Sequence, residues 1–262
     1  MDLEYNREIT KYGRADAFTA LCIFVLFAAL SVADWVLIEN FVRAAPILQF
    51  SGRFIVTGIV FALVIIKKQG LSSIGFSKDN LRQAIIFTVP IIIIFSAFGV
   101  IPGLVYGWQP HSFGVLAPAF AVTALMAAGE DIFFVGFLQT RLYGLFKHHI
   151  PAIAAGAVLF ALIHMPIGLL ASPFPAGWAA MWIIWIIGHV LMVLIFRRQF
   201  SIIPVITAHT LANFFVGGSL WSYFNADYNV EWASTAVLLI LAVLVIWEAV
   251  CHVKKKRREA AQ

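Results

Sequence analysis

Two adjacent carboxylates, Glu130 and Asp131, interrupt an otherwise apolar stretch of the sequence, MAAGEDIFFVGFLQTRL at residues 125–141. A charged side chain at the centre of a bilayer costs at least about 2.5–3.5 kcal/mol on insertion scales, so it needs a partner, a cavity or a function. Burial in a medium of low dielectric constant also makes a carboxylate a stronger base. A buried acid of this kind could therefore accept a proton from water.

Three further polar groups interrupt two other apolar stretches. His164 lies in LFALIHMPIG, whereas His209 and Asn213 lie in PVITAHTLANFF, four residues apart and on one face of a helix. Imidazole and carboxamide N–H groups can stabilise the oxyanion that forms when water attacks a peptide carbonyl. A lone intramembrane histidine is usually a packing residue, but these groups and an acid on three separate segments favour a shared site.

The same side chains leave more than one chemistry open. Besides hydrolysis, they suit a proton pathway in a transporter, or a divalent metal held by Glu130, His164 and His209. The sequence has no His-Glu-x-x-His element and no histidine-rich cluster, which argues against a metal-dependent enzyme. We therefore predict no cofactor, with the metal on these three residues as the alternative.

The composition indicates which elements must position these residues. Hydrophobic residues make up 62% of the 262 residues and charged residues 12%, with a mean hydropathy of +0.93. The charged share is about half that of a soluble domain, and apolar stretches of about 17–25 residues, enough to cross a bilayer as a helix, recur. The sequence predicts an all-α, polytopic membrane bundle of about eight transmembrane helices, at about 17–38, 46–66, 84–106, 115–146, 150–171, 176–196, 200–222 and 232–252.

The basic residues predict how this bundle is oriented. Sixteen of the eighteen Lys and Arg residues, Arg141 among them, fall on one side of the predicted bundle, which the positive-inside rule makes cytoplasmic. Both termini of the multi-pass protein should then be cytoplasmic, and the even number of spans agrees. Since the charges collect at span ends, the net charge of +5 indicates contact with the lipid bilayer and no nucleic-acid partner.

The chain is expected to form one transmembrane domain at residues 17–252, with a motif core at 115–215. A cytoplasmic N-terminal segment (1–16) precedes it and a basic cytoplasmic tail (253–262) follows. The amphipathic segment 71–84 should lie at the cytoplasmic interface. Other polar groups of the apolar segments are expected to be structural, namely Asp34, His189 and Glu248, and the two cysteines, Cys22 and Cys251, to be packing residues.

The three polar elements, in this order on separate spans, resemble the CAAX-processing and bacteriocin-processing (CPBP) family of intramembrane peptidases. That family's pattern is Glu-Glu-x-x-x-Arg, then Phe-x-x-x-His, then His-x-x-x-Asn. Here the elements read EDIFFV at 130–135, FALIH at 160–164 and HTLAN at 209–213, and the resemblance extends from residue 71 to about 215. It implies a glutamate-dependent endopeptidase acting on a membrane-associated protein or peptide, in some members a prenylated one.

The resemblance also implies roles for individual residues. Glu130 matches the glutamate that activates water, and His164 matches the histidine that assists this water. His209 and Asn213 match the pair on the oxyanion side, and Phe160 begins the second element. The first four are the predicted catalytic residues, and Phe160 is predicted to be a supporting residue.

Two positions depart from the family pattern. Asp131 replaces the second Glu, and Val135 replaces the Arg. An Arg at that place would face the second acid and hold it ionised, so we predict that Arg53, otherwise unexplained inside the second span, is the counter-ion of Asp131. Asp131 itself should point away from the cavity and support the fold. Arg141 should lie too far along the helix from Glu130, about 16 Å, to take that place.

The altered first element leaves two functions open beside the peptidase. A catalytically weak or inactive relative would bind a membrane peptide or a partner protein. A transporter or proton pathway would use the same buried acids for another purpose.

Overall fold

The computed structural model describes residues 2–41, 51–78, 80–106, 113–164 and 175–216. Every regular element within these ranges is helical, and none is a strand. Three described stretches are long and apolar enough to cross a membrane, Arg14–Ala33, Leu116–Phe146 and Trp182–Gln199, and shorter apolar helices accompany them. The predicted all-α membrane bundle is confirmed, whereas the number of spans and the orientation of the termini stay predictions.

The helices follow the predicted spans closely. They are α1 Asp2–Ile9, α2 Arg14–Phe41, α3 Ser51–Ile66, α4 Leu81–Tyr106, α5 Phe113–Asp131, α6 Gln139–Phe146, α7 His149–Ile163, α8 Pro175–Gln199 and α9 Ile203–Leu211. A 3₁₀ turn spans Leu71–Ile74, and π-helical segments span Ile132–Leu138 and Ala212–Val216. The eighth predicted span, the basic tail, Glu248 and Cys251 lie outside the described residues, as does the side chain of Asp34.

The π-helical segment 132–138 joins α5 to α6 at the centre of the bundle. All seven of its side chains are buried. Phe134 packs edge-on against Phe27 of α2 and Phe160 of α7, with ring centroids 5.2 Å apart in both pairs. By contrast, α4 exposes several large apolar side chains, such as Ile86 and Ile93. An apolar surface outside and an apolar core inside are what a helix bundle in lipid requires.

The N-terminal segment packs onto this bundle. Tyr5 and Ile9 of α1 and Tyr12 beyond it are buried, and Tyr5 meets Phe196 edge-on with centroids 5.9 Å apart. Burial raises the pKa of the Tyr5 and Tyr12 hydroxyls above its usual range, so both stay neutral at physiological pH. The segment predicted as a cytoplasmic extension is therefore part of the folded body.

Arg141, which was counted among the basic residues at span ends, is buried inside the protein. Its Nη2 donates to Oε1 of Gln69 at 2.6 Å, and its Nη1 donates to the carbonyl oxygen of Ser73 at 3.2 Å. The Tyr12 ring lies 4.2 Å from the guanidinium carbon, and the Tyr12 hydroxyl donates to Glu8. A buried cation is tolerated here because polar groups and an aromatic face replace its water.

The 3₁₀ turn packs against the π-helical segment that follows Glu130 and Asp131. Ser73 and Ile74, in the segment predicted to lie at the interface, are completely buried. Gly75 follows with a φ of +90°, and its carbonyl accepts a hydrogen bond of 3.1 Å from the backbone N–H of Ile202. A Cβ on Gly136 would lie 2.9 Å from the Ile74 carbonyl oxygen. Glycine at these positions lets the turn and the π-helical segment come into contact.

Candidate active site

Glu130 and Asp131 are the last two residues of α5, directly before the π-helical segment. Such segments are frequent at functional sites, because an added residue in the helical turn changes the direction of neighbouring side chains. Glu130 is 3% exposed and Asp131 is fully buried. Protein groups must therefore replace the water that each carboxylate has lost.

Asp131 contacts His209 of α9. Its Oδ1 lies 3.0 Å from Nδ1 of the imidazole, and because a carboxylate only accepts, Nδ1–H donates. Nε2 of the same ring lies 3.9 Å from Oε2 of Glu130. Neighbouring residues on a helix point about 100° apart, yet both acids reach this one ring since it offers a nitrogen on each edge. The prediction that Asp131 points away from the site is therefore wrong.

Arg53 of α3 contacts the other acid. Its Nε donates to Oε1 of Glu130 at 2.6 Å, and both side chains are largely buried. The counter-ion prediction is thus wrong in its partner, because Arg53 binds Glu130 and Asp131 binds His209. The second oxygen of Asp131, Oδ2, is buried without a hydrogen-bond partner in the described part of the chain.

His164 follows the last residue of α7 and completes the group around Glu130. Its Nδ1 lies 2.8 Å from the carbonyl oxygen of Phe160, so Nδ1 carries the proton. In the neutral ring, Nε2 then presents a lone pair. Nε2 lies 3.8 Å from Oε2 of Glu130. Two histidines from different helices thus face the same carboxylate oxygen.

Phe160 holds the histidine rings apart. Its ring centroid lies 4.6 Å from that of His164 and 6.2 Å from that of His209. On its other side it stacks on His189 of α8, with centroids 5.2 Å apart and planes at 28°. Trp185, also of α8, lies 5.1 Å from His164. The ring that begins the second motif is therefore a spacer between side chains of three helices.

Sequence reasoning missed the part that α8 plays. His189 is fully buried, and its Nε2 lies 3.3 Å from Oε1 of Gln139. Trp185 and His189 are four residues apart and share a face of α8, as His209 and Asn213 were expected to do on the next helix. That spacing was a usable signal. Without the fold, nothing connected it to Phe160.

The structure brings six of the seven predicted residues together and leaves two points open. Asn213 is partly buried in the second π-helical segment, one turn after His209, and its part in the site stays a prediction. Within the described ranges, no group of three or more His, Cys, Asp or Glu residues is arranged to hold a metal ion. The absence of a cofactor also stays a prediction.

A family model matches part of the chain. Residues 112–215 match the model of the Rce1-like family, described as type II CAAX prenyl endopeptidase Rce1-like. The resemblance noted in the sequence is thereby confirmed. No curated protein and no solved structure matches the chain. The matched segment includes all three polar elements but not Arg53, which lies in α3.

Proposed function

We propose that this chain, whose residues 112–215 belong to the Rce1-like family of type II CAAX prenyl endopeptidases, is an active intramembrane endopeptidase in which Glu130 activates water. The family is one of peptidases, and the chain is an integral membrane protein. One observation carries the proposal. Oε2 of Glu130 faces Nε2 of His164 at 3.8 Å and Nε2 of His209 at 3.9 Å.

These two distances suit a shared water molecule. They are too long for direct hydrogen bonds. Two hydrogen bonds of about 2.8 Å that meet at one oxygen at about 85° span about 3.8 Å. A water in contact with Glu130 and His164 would have its proton acceptor within hydrogen-bond reach, as general-base catalysis requires.

The proposed reaction begins with transfer of a proton from this water to Glu130. The oxygen attacks the carbonyl carbon of the peptide bond, and the electron pair of the C=O bond moves onto its oxygen. When the tetrahedral intermediate collapses, the C–N bond breaks and Glu130 returns the proton to the leaving nitrogen. The lone pair on Nε2 of His164 accepts a hydrogen bond from the water and so orients it.

His209 is proposed to stabilise the oxyanion. Its Nδ1–H already donates to Asp131, so it can donate from Nε2 as well only as an imidazolium. The Asp131 carboxylate balances the charge of that imidazolium and fixes the plane of the ring, as the acid of a Ser-His-Asp triad does. Asn213 is proposed as a second donor, as the family pattern implies.

The substrate is proposed to be a membrane-associated protein or peptide, because Glu130 lies within an apolar helix and not on a soluble surface. We further propose eight spans, cytoplasmic termini and water activation without a metal ion. The family description supports prenylated chain ends as the first substrates to test.

A cleavage assay tests this function. Purified protein in liposomes is incubated with a farnesylated peptide that carries a C-terminal CAAX sequence, and with the same peptide lacking the prenyl group. Mass spectrometry identifies the products. Cleavage at one internal peptide bond, if it continues in the presence of chelators, supports the proposal. Absence of cleavage of both peptides, and of a library of membrane-anchored peptides, contradicts it.

A further inference from the structure

We infer that Arg53 is a positioning residue that holds one oxygen of Glu130, so that the other oxygen alone serves as the proton acceptor. Arg53 lies outside the segment that matches the family. In this role it supplies from α3 the cation that the family pattern places at position 135. The inference rests on the proposed function.

The contact itself has the geometry of an orienting bond. Arg53 uses its Nε on Oε1 of Glu130, at 2.6 Å, and leaves Oε2 facing the two histidines. A charge-assisted hydrogen bond between largely buried groups is about twice as strong as a neutral one. Rotation of the carboxylate would break it. The bond therefore determines which oxygen meets the water.

Helices α3 and α5 pack closely against each other at this contact. Gly129 directly precedes Glu130, and a Cβ at this position would lie 3.3 Å from Cβ of Arg53. The Thr57 hydroxyl lies 2.7 Å from the Arg53 carbonyl oxygen and 3.3 Å from the Gly129 carbonyl oxygen. One side chain thus fastens the turn that carries Arg53 to the turn that carries Glu130.

In this chain, position 135 supplies no cation. Val135 is fully buried and belongs to the apolar core with Phe133 and Phe134. An Arg from a neighbouring helix supplies a charge near Glu130 and leaves this apolar core intact. Arg53 is therefore a substitute in charge, though it binds the first acid of the motif and not the second.

Kinetic constants of the variants separate positioning from folding. Arg53→Met should lower kcat by about 10- to 100-fold, the cost of a misplaced catalytic group, with little change in KM. Arg53→Lys keeps the charge and should recover part of the loss. Arg82→Met, which removes an exposed cation at the start of α4, is the matched control and should leave kcat unchanged.

Chemical rescue supplies a readout that a structural role would not move. Guanidinium ion added to Arg53→Ala should restore part of kcat, whereas it should not restore Glu130→Gln. Gly129→Ala leaves Arg53 in place but crowds its Cβ, and should also lower kcat. If Arg53→Met does not fold, this variant and Arg53→Lys carry the test.

The outcomes distinguish the inference from the proposed function. A wild-type protein that cleaves nothing contradicts the proposed function. A wild-type protein that cleaves, with Glu130→Gln inactive and Arg53→Met equal to wild type, contradicts this inference alone. A higher kcat in Arg53→Met also contradicts it, because Arg53 would then restrain Glu130 and not position it.

Discussion

Asp131 and His209 lie on different helices, yet Oδ1 of the first is 3.0 Å from Nδ1 of the second. This contact places the second acid of the motif within the site. Glu130 and Asp131 thus both lie beside His209, and Glu130 has Arg53 as a further partner.

Asp131→Asn tests this pair. The amide can still accept from Nδ1–H, but it no longer balances an imidazolium, and its NH₂ group favours the wrong tautomer of His209. We expect kcat to fall by about 10²- to 10⁴-fold, the upper value being that of the corresponding change in a serine protease triad. Thermal unfolding of the purified variant is the control. Unchanged kcat with lowered stability would return Asp131 to a purely structural role.

Arg141→Met tests the buried cluster under the site. It removes the donors to Gln69 and to the Ser73 carbonyl, and the buried Ser73 carbonyl left unpaired costs about 1–3 kcal/mol. We expect a lower melting temperature in detergent and faster proteolysis near the N-terminus, since Tyr12 loses its cation. Arg7→Met, at an exposed position of α1, is the control. Equal melting temperatures for the two variants would refute the clustered role.

Gly75→Ala tests the close packing at the end of the 3₁₀ turn. Gly75 has a φ of +90°, and an added Cβ would lie 2.5 Å from the Phe196 ring and 2.8 Å from the Ile202 nitrogen. A non-glycine residue in such a backbone conformation costs about 1–3 kcal/mol, and the clash adds to that. We expect a large loss of folded protein. Gly58→Ala, where a Cβ meets nothing within 4 Å, should fold normally, and equal losses in both variants would be the contrary result.

Cysteine labelling tests the proposed topology. With Cys22 and Cys251 both replaced by Ser, a single cysteine at Ala260 should react only from the cytoplasmic side. One at His111, between the third and fourth predicted spans, should react only from the opposite side. The distribution of basic residues predicts this result, and labelling of Ala260 from outside would overturn it.

The sequence predicted the parts of this protein that depend on hydropathy and motif spacing. Within the described residues, apolar stretches located most helix ends to within a few residues, because only helices satisfy their backbone groups in lipid, but α7 ends at Ile163 and not at about 171. The order and spacing of the polar elements predicted that Glu130, His164 and His209 share one site. The partners of the two acids could not be predicted, since a helical wheel gives directions but does not say that His209 presents a nitrogen to each acid.

The surroundings of Arg141 could not be predicted from the sequence either. As a basic residue near the end of an apolar stretch, Arg141 counted as a cytoplasmic charge. Its burial against the Tyr12 ring, Gln69 and the Ser73 carbonyl was not predicted. These groups come from two distant parts of the sequence, and no local pattern connects either of them to Arg141.

The most direct test of the central claim compares Glu130→Gln with the wild-type protein in the cleavage assay. The amide keeps the shape of the side chain but cannot take a proton from water, and loss of a general base costs about 10²- to 10⁴-fold in rate. The proposed mechanism predicts that cleavage falls at least that far while the melting temperature and elution volume stay those of a folded protein. Full cleavage by folded Glu130→Gln would contradict the mechanism and favour a protein that binds membrane peptides without cutting them.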